Sequence, residues 1–325
     1  MNYRTLGRTG LRISEIGFGC GGGAALMIGD DRDLQRAAVA RALELGITYF
    51  DTAPIYGNTR SETNLGRALG ALGAKPVVAT KIALELDQLD DIPAAVVASV
   101  EGSLERLGRD MVEVVYLHNR VARKRAPKPD VGVGALLTVD DVLGPNGVVR
   151  GLESLRKRGL VKFFGCCSYG GEMDVLETVI DSDAFDAMLV HYNVITQTAW
   201  LPAVPGSPVS DYHGVAARAA ARGMGTSVLR VLEAGLLAGN SREAPTPKLD
   251  ANRARAGTLT FLQDGDATLV PSAIRFALSN PAVSVVLVGI TELGHVDDAV
   301  AAAARGPLPP GVLAKIEAAR LADFR

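Results

Sequence analysis

Short apolar runs and longer amphipathic stretches alternate regularly along this chain. The short runs favour strands buried on both faces, and in the longer stretches apolar residues recur at helical spacing. The alternation repeats about eight times, which is typical of a parallel sheet covered by helices. That many units over roughly 300 residues fit a closed (β/α)8 barrel better than an open sheet. The predicted strands span 13–19, 47–51, 76–81, 111–118, 160–166, 185–191, 225–229 and 283–288, and the predicted helices span 33–45, 92–107, 148–158, 173–180, 215–222 and 268–278, with one more beginning at Ser61.

No long linker divides the chain, so residues 1–325 are predicted to form a single α/β domain. Two long connections interrupt the alternation, at 119–146 and at 231–266. Connections longer than about 12–15 residues are usually functional lids or disordered segments. Both follow strands, so in a barrel both lie at the C-terminal face, where ligands bind. Mobile surface decoration is the alternative for either connection.

The composition indicates a globular protein with a sizeable core, since 48% of the residues are hydrophobic and 22% are charged. No apolar run reaches the roughly 18 residues of a membrane span, and no signal peptide is visible at the N-terminus. The formal net charge of −2 gives no reason to expect nucleic acid as a partner. Cys20, Cys166 and Cys167 form neither a CxxC pair nor a metal-ligand spacing. We therefore expect a cytoplasmic protein with free thiols and no metal site.

Four ionisable residues stand at or just beyond the ends of consecutive predicted strands. Asp51 ends the second strand, Lys81 the third and His118 the fourth. Tyr56 follows the second strand on a loop shaped by proline and glycine, and in a barrel all four side chains would point into one mouth. A nearby ammonium lowers the pKa of a tyrosine from about 10, and a neutral histidine can hydrogen-bond a substrate oxygen. Together the four could donate a proton to a carbonyl oxygen, although each alone has a purely structural explanation.

Three segments around these residues resemble the signature segments of the aldo-keto reductase family. They are Asp51-Thr52-Ala53-Pro54-Ile55-Tyr56-Gly57, Val78-Ala79-Thr80-Lys81 and Val115-Tyr116-Leu117-His118. The likeness covers nearly the whole chain, because residues 3–11 resemble the family's N-terminal hairpin, which closes the barrel floor, and it continues through 235–239 and 287–289. The stretch 143–149 is further similar to bacterial sugar and pyridoxal dehydrogenase-like members.

The resemblance implies a (β/α)8 TIM barrel with a β-hairpin floor and long loops at the C-terminal face. It also implies hydride transfer between a nicotinamide cofactor, NADP or NAD, and a carbonyl or alcohol carbon of an aldehyde, ketone or sugar. Tyr56 would be the general acid/base, and Lys81 would lower its pKa. Asp51 would pair with Lys81, and His118 would orient the carbonyl.

The positions expected to hold the cofactor depart from the family's pattern. The family commonly has Ser-Asn after strand five and Gln on strand six, whereas this chain has Cys167-Ser168 and Leu189. The aromatic residue that usually stacks on nicotinamide is replaced by Leu229, and Arg230 beside it could reach the pyrophosphate. The cofactor candidates are Gly19, Cys20, Cys167, Ser168, Arg230, Gly235, Leu237, Gly289, Thr291, His295 and Asp298, and the substrate candidates are Tyr56, His118, Tyr169 and Trp200.

The turn at 289–298 resembles the family's phosphate-binding helix start, where backbone N–H groups offer an anion site. The basic or amide residues expected near an adenosine 2′-phosphate are replaced by Thr291, Glu292 and His295. A carboxylate at this point would repel a phosphate and could bond a free ribose hydroxyl. NAD is therefore at least as well supported as NADP, unless Glu292 points to solvent.

Two other functions stay open. Lys81 could form a Schiff base in a barrel lyase, as in aldolases, although Asp51 and Tyr56 at the family's positions weigh against it. The altered nicotinamide positions are also compatible with a non-catalytic or weakly active nucleotide-binding barrel, like relatives bound to ion channels. The expected partner is a small carbonyl or sugar substrate, with neither nucleic acid nor a membrane, and the oligomeric state is left open.

Overall fold

The computed structural model describes residues 1–21, 24–129, 132–168, 170–241, 246–263, 265 and 268–324. Its strands are β1 (Tyr3–Thr5), β2 (Arg12–Ser14), β3 (Ile16–Gly19), β4 (Tyr49–Asp51), β5 (Val77–Ile82), β6 (Val112–Leu117), β7 (Val161–Cys167), β8 (Ala187–His191), β9 (Gly225–Leu229) and β10 (Val285–Gly289). Eight of them run parallel and close into a barrel in the order β10-β3-β4-β5-β6-β7-β8-β9. The predicted (β/α)8 TIM barrel is confirmed.

Helices follow the barrel strands and cover their outer faces. They are α1 (Arg32–Glu44), α2 (Arg60–Leu72), α3 (Ile92–Leu107), α4 (Val139–Leu143), α5 (Val148–Lys157), α6 (Met173–Asp181), α7 (Val215–Ala221), α8 (Pro247–Gly257), α9 (Val270–Leu278), α10 (Gly294–Ala304) and α11 (Pro310–Leu321). Within these described ranges, no helix combines the length and the apolar character needed to cross a membrane.

Two of these helices, α4 and α8, lie inside the connections predicted to be irregular, so that prediction is wrong in part. α4 begins at a capping box, in which Thr138 Oγ1 accepts the N–H of Asp141 at 3.2 Å and Asp141 Oδ2 accepts the N–H of Thr138 at 2.9 Å. α8 begins at Thr246, whose hydroxyl accepts the N–H of Leu249 at 3.1 Å. The caps are visible in the sequence, but one helix is too short and the other too polar to show helical apolar periodicity.

The predicted strand 13–19 divides into two. Its first part belongs to β2, which pairs antiparallel with β1, and its last part is β3, which enters the barrel between β10 and β4. Leu6 in the hairpin turn is fully buried in the barrel interior with Ile13. A Cβ added to Gly225, at the start of β9, would lie 2.6 Å from Leu6 side-chain atoms. The hairpin therefore closes the barrel floor, as the family resemblance implies.

Side chains fill the barrel below its mouth. The hydroxyl of Tyr116 lies 3.1 Å from that of Tyr49 and 3.1 Å from that of Ser227, and all three residues are fully buried. Gly165 on β7 makes room for them, because a Cβ there would lie 2.1 Å from Tyr116 Cδ1. Among the described residues the barrel interior is a packed core, so a small ligand would bind at the mouth rather than inside.

Gly66 marks a close approach between α2 and α3. A Cβ there would lie 2.6 Å from the backbone carbonyl of Leu107, whereas a Cβ on the exposed Gly70 of the same helix would meet nothing within 4 Å. We expect Gly66→Ala to lower the free energy of unfolding by about 1–3 kcal/mol, because backbone must move. Gly70→Ala should raise it by about 0.5–1 kcal/mol through helix propensity. Urea denaturation of both variants checks this, and equal effects would contradict the close approach.

Candidate active site

A buried ion pair joins the ends of β4 and β5. Lys81 Nζ lies 2.6 Å from Asp51 Oδ1 and donates a second hydrogen bond, 2.8 Å long, to the carbonyl oxygen of Thr52. Burial lowers the pKa of Lys81, but the acidic groups around it, Asp51 first, together outweigh burial and raise that pKa. Burial raises the pKa of Asp51, and the charge of Lys81 opposes that change. Lys81 is therefore charged at neutral pH.

Tyr56 lies beside this pair, on the turn after β4. Lys81 Nζ is 4.8 Å from the centre of its ring, and a Cβ on Gly21 would approach the ring to 3.8 Å. Gly57 shapes the turn, because its φ is 60° and a Cβ there would lie 2.6 Å from Ile28.

Burial and the charge of Lys81 act in opposite directions on the pKa of Tyr56. Burial raises the pKa of Tyr56 to about 12, and the ammonium of Lys81 lowers this pKa only in part. Burial outweighs the lowering effect of Lys81 on this pKa. The phenol is therefore protonated at neutral pH and can act as a proton donor.

His118 completes the group from the end of β6. Its backbone N–H donates to the carbonyl oxygen of Ile82 at 2.8 Å, which holds it against β5. Its ring meets that of Tyr56 edge to face, with 6.1 Å between centroids and 86° between planes. Burial, and then the charge of Lys81, hold the pKa of His118 well below its usual range. The imidazole is neutral at physiological pH and can hydrogen-bond a ligand without carrying charge.

The structure thus brings together the four residues predicted to be catalytic. β4, β5 and β6 are neighbours in the barrel, so their ends present the four side chains on one side of the mouth. A protonated phenol has a fixed ammonium and a neutral imidazole beside it. Such a group can protonate an oxygen on which negative charge develops.

Three of the predicted nicotinamide positions lie on neighbouring strands at this mouth. The N–H of Ser168 donates to the carbonyl oxygen of Leu189 at 2.8 Å, and its Oγ accepts the N–H of His191 at 3.0 Å. Cys167 and Leu189 face the barrel interior, where they pack with apolar side chains. Ser168 is the polar side chain of this set that could hold a carboxamide.

Gly19 and Cys20 continue the mouth on the other side of β4. The N–H of Cys20 donates to the carbonyl oxygen of Asp51 at 2.9 Å, and burial, reinforced by that carboxylate, raises the pKa of the thiol. A Cβ on Gly19 would lie 3.0 Å from the carbonyl oxygen of Val288, and one on Gly289 would lie 3.2 Å from Ala24 Cβ. The small residues let β3 and β10 approach closely here.

The residues predicted to bind the phosphate end of the cofactor lie near the start of α10. Thr291 Oγ1 lies 2.8 Å from His295 Nδ1. Glu292 and Asp298 are both exposed, so two solvent-accessible carboxylates lie near the start of the helix. Backbone N–H groups and the hydroxyl of Thr291 are donors that an anion could use at this point.

Arg230, Gly235 and Leu237 belong to the loop after β9. Arg230 has a φ of 60° and Gly235 a φ of 88°, so the loop turns sharply at both positions. The side chain of Leu237 is 2% exposed and packs in the hydrophobic core between the barrel and the helices. Only its backbone could therefore contact a cofactor.

Comparison with known proteins places this chain in a family. The sequence model of the Aldo/keto reductase family matches residues 15–320. The chain belongs to this family. The resemblance drawn from its signature segments is confirmed.

Individual aldo-keto reductase relatives match along most of this chain. L-galactose dehydrogenase of Arabidopsis thaliana is 29% identical over 316 residues, which cover 93% of this chain and 88% of the relative. A probable voltage-gated potassium channel subunit beta of Oryza sativa subsp. japonica is 25% identical, over 98% of this chain and 96% of the relative. The solved holo form of aldo-keto reductase AKR11C1 from Bacillus halodurans shares the fold, with a TM-score of 0.73 at 21% identity over 98% of this chain and 96% of that one.

One of the two further substrate candidates, Trp200, lies in a cluster of aromatic side chains. Trp200 meets the ring of Tyr192 edge to face at 6.2 Å, and Tyr192 packs on Phe276 of α9 at 5.2 Å. Trp200 thus packs with the outer core, between barrel and helices. Tyr169 lies outside the described residues. Contact of either with a substrate remains a prediction.

A second buried polar cluster lies across the mouth and was not predicted from the sequence. His191 ends β8, and its Nδ1 lies 2.8 Å from the hydroxyl of Tyr212 while its Nε2 lies 3.1 Å from Glu233 Oε2. We call Tyr212, His191 and Glu233 the Tyr–His–Glu array. His191 could have been found as a strand-end residue, as His118 was. Tyr212 and Glu233 come from two separate loops and carry no such signal.

Proposed function

We propose that this protein is an NAD(P)-dependent oxidoreductase, which transfers hydride between nicotinamide and a carbonyl or alcohol carbon of an aldehyde, ketone or sugar. The observation that carries the proposal is the grouping of Tyr56 with Lys81 and His118, at 4.8 Å and 6.1 Å from its ring centre. The similarity to L-galactose dehydrogenase supports a sugar or related hydroxyaldehyde as the substrate class.

The residues at the mouth fit a nicotinamide dinucleotide. Asp51 Oδ2 is buried and lacks a hydrogen-bond partner within the described parts of the chain, so it can accept from a ligand hydroxyl. Ser168 offers a buried hydroxyl at the neighbouring strand ends. The start of α10, with Thr291, offers N–H groups to a phosphate. We expect Asp51 and Ser168 to hold the nicotinamide riboside and the α10 start to hold phosphate.

Each catalytic candidate has a distinct role in carbonyl reduction. The bound nicotinamide supplies the hydride. Tyr56, whose pKa is raised to about 12, donates its hydroxyl proton to the carbonyl oxygen. Lys81 stays charged and stabilises the phenolate that is left, while neutral His118 hydrogen-bonds and orients the same oxygen. In the oxidative direction the phenolate accepts the proton from the alcohol.

A Schiff-base lyase is less well supported by the geometry. Schiff-base formation needs a neutral amine, whereas the pKa of Lys81 is raised and its ammonium bonds Asp51 and Thr52. Borohydride added together with a carbonyl substrate should leave the activity intact. Irreversible inactivation under those conditions would favour the lyase.

A nucleotide-binding subunit with little or no turnover is the second candidate function. The similarity to a potassium channel subunit beta, over 98% of this chain, favours it. The complete group of Asp51, Tyr56, Lys81 and His118 argues for turnover instead. Tight cofactor binding without turnover of any aldehyde, ketone or sugar would favour the subunit.

We further propose that the cofactor is NAD(H) rather than NADP(H). Glu292 and Asp298 are exposed carboxylates near the α10 start. A side chain facing an open cofactor groove is exposed just as one facing bulk solvent is, and we take Glu292 to face the groove. Arg41 of α1 reaches the same helix, but its guanidinium is bound to Asp297 at 2.6 Å. A 2′-phosphate would therefore meet like charges, and the guanidinium of Arg41 is already paired with Asp297.

NADH is expected to bind about tenfold or more tightly than NADPH, because like charges meet only in the NADPH complex. The measurement is a titration of the purified protein with each cofactor, followed by quenching of protein fluorescence. Glu292→Gln removes one charge and keeps the side-chain shape. This variant should bind NADPH more tightly and so reduce the difference between the two affinities. Tighter NADPH binding by the unaltered protein would contradict the preference. Binding of neither cofactor would overturn the oxidoreductase proposal itself.

A further inference from the structure

The hydrogen bonds of the Tyr–His–Glu array have a direction set by chemistry. Burial alone raises the pKa of Glu233, but hydrogen bonds from His191 and Asn193 lower it to about 2, so the carboxylate is ionised and can only accept. Nε2 of His191 therefore donates to Glu233, which leaves Nδ1 to accept from the hydroxyl of Tyr212 when the imidazole carries one proton. In that tautomer the proton of Tyr212 is committed to His191. Its oxygen is left as a hydrogen-bond acceptor, polarised by the carboxylate behind the imidazole.

The array is held rigidly. Glu233 Oε2 also accepts from Asn193 Nδ2 at 2.5 Å, and Oε1 accepts from Asn252 Nδ2 on α8 at 2.9 Å. His191 is 8% exposed, Tyr212 7% and Glu233 5%. A buried carboxylate with this many donors orients the imidazole, and the imidazole in turn orients the phenol. Such an arrangement presents the oxygen of Tyr212 in one direction.

The array stands at the ligand end of the barrel, opposite the catalytic candidates. β8 is four places from β4 in the eight-stranded order, so His191 lies across the mouth from Asp51. His191 continues the inward-facing series Ala187 and Leu189. An eight-stranded barrel is only wide enough inside for side chains. A small molecule whose reacting carbon meets Tyr56 can therefore reach the wall that carries the array.

Two loops of the mouth contribute charges that act on the hydroxyl of Tyr212. Arg230, from the loop after β9, and Arg120, from the loop after β6, both act electrostatically on it. Ser210 hydrogen-bonds the same hydroxyl. A phenolic oxygen has two lone pairs, so one remains after the bond from Ser210. That lone pair can accept from a ligand.

We propose that Tyr212 is a specificity residue that accepts a hydrogen bond from a hydroxyl group of the substrate, with His191 and Glu233 as positioning residues behind it. This rests on the oxidoreductase function proposed above and narrows its substrate class. The substrate carries hydroxyl groups away from the reacting carbon, as an aldose does. A site built to pair a substrate hydroxyl discriminates against an analogue that lacks it.

A purely structural role for the array leads to different behaviour. Arg230 and Glu233 have φ values of 60° and 45°, a conformation that non-glycine residues adopt only when their surroundings hold it. The array would then brace the loop after β9 and nothing more. Loss of the Tyr212 hydroxyl would in that case change stability and affect all substrates alike.

Tyr212→Phe, which removes only the hydroxyl oxygen, tests the proposal. The readout is the ratio of kcat/KM for an aldohexose to kcat/KM for hexanal, with NADH or NADPH saturating. This selectivity ratio should fall by about tenfold or more, the value of one lost hydrogen bond in a pocket built for it. Glu233→Gln, which weakens the hold on His191, should lower the ratio in the same direction. The matched control is Tyr192→Phe, which also removes a phenolic hydroxyl. The ring of Tyr192 packs against Phe276 of α9, so this variant should leave the selectivity ratio unchanged.

The outcomes separate this proposal from the function on which it rests. A ratio that Tyr212→Phe leaves unchanged, with both substrates slowed equally, overturns the specificity role and leaves the oxidoreductase proposal standing. Turnover of hexanal but not of any polyhydroxy aldehyde by the unaltered protein overturns the substrate class. Cofactor binding without turnover of either aldehyde overturns both proposals. Thermal denaturation of each variant identifies one that has lost its fold.

Discussion

Replacing Tyr56 by phenylalanine is expected to lower turnover by about 10²–10⁴-fold, the usual contribution of one general acid. The substitution removes only the hydroxyl. The ring that lies 4.8 Å from Lys81 Nζ and edge-on to His118 stays in place. Cofactor affinity should therefore remain nearly unchanged. Steady-state reduction of a carbonyl substrate measures the first effect, and fluorescence titration with NADH measures the second.

The pH dependence of turnover by the unaltered protein is an independent test of Tyr56 as the general acid. Burial raises the pKa of Tyr56 to about 12, so the phenol keeps its proton at neutral pH and loses it only as the pH approaches that value. Reduction by Tyr56 as an acid should then stay level through neutral pH and fall in the alkaline range. Turnover by Tyr56→Phe close to that of the unaltered protein would show that another group supplies the proton.

Lys81→Met is expected to lower the free energy of unfolding by about 3–5 kcal/mol, because it leaves a buried carboxylate without its partner. Asp51 is 5% exposed, and Lys81 supplies its 2.6 Å ion pair. An unpaired buried carboxyl has a raised pKa, so the stability loss should grow as the pH rises above about 4, where the unfolded carboxyl ionises. Urea denaturation at pH 5 and pH 8 measures it, and turnover should fall in parallel because Tyr56 loses the adjacent ammonium.

Two companion variants separate charge from packing in this pair. Asp51→Asn combined with Lys81→Met removes both charges and should recover part of the stability without recovering turnover. Lys162→Met, at an exposed position on β7, should change stability by less than about 0.5 kcal/mol. A Lys81→Met protein as stable as the Lys162→Met protein would contradict a strong buried pair.

Much of the barrel could be predicted because its signals are local. The predicted helix 92–107 agrees with α3 at both ends, since Asp91 caps its start and Gly108 ends it in a left-handed conformation. The break between β2 and β3 could not be predicted in this way. Glu15 stands between them, and its carboxylate accepts from Asn2 and Arg4 across the hairpin. Those partners become visible only when the chain has folded back on itself.

The candidate site also has one part that could be predicted from the sequence and one part that could not. Asp51, Lys81 and His118 could be located because parallel barrel strands end at one mouth, so sequence position implies spatial position. The ionisation of Tyr56 could not be predicted, because the lowering effect of Lys81 and the raising effect of burial compete and their balance depends on the surrounding atoms. The role of Trp200 was equally beyond sequence reasoning, since a loop aromatic can face the mouth or, as here, pack with the outer core.

The sequence by itself determined the alternation of strands and helices, the strand-end residues and the family resemblance, because each is written in consecutive residues or short motifs. Only the tertiary structure decided which distant groups meet. His191, Tyr212 and Glu233 are separated by 21 residues or more along the chain, yet they form one hydrogen-bonded array. Loop closure and burial bring them together, and neither leaves a periodic pattern in the sequence.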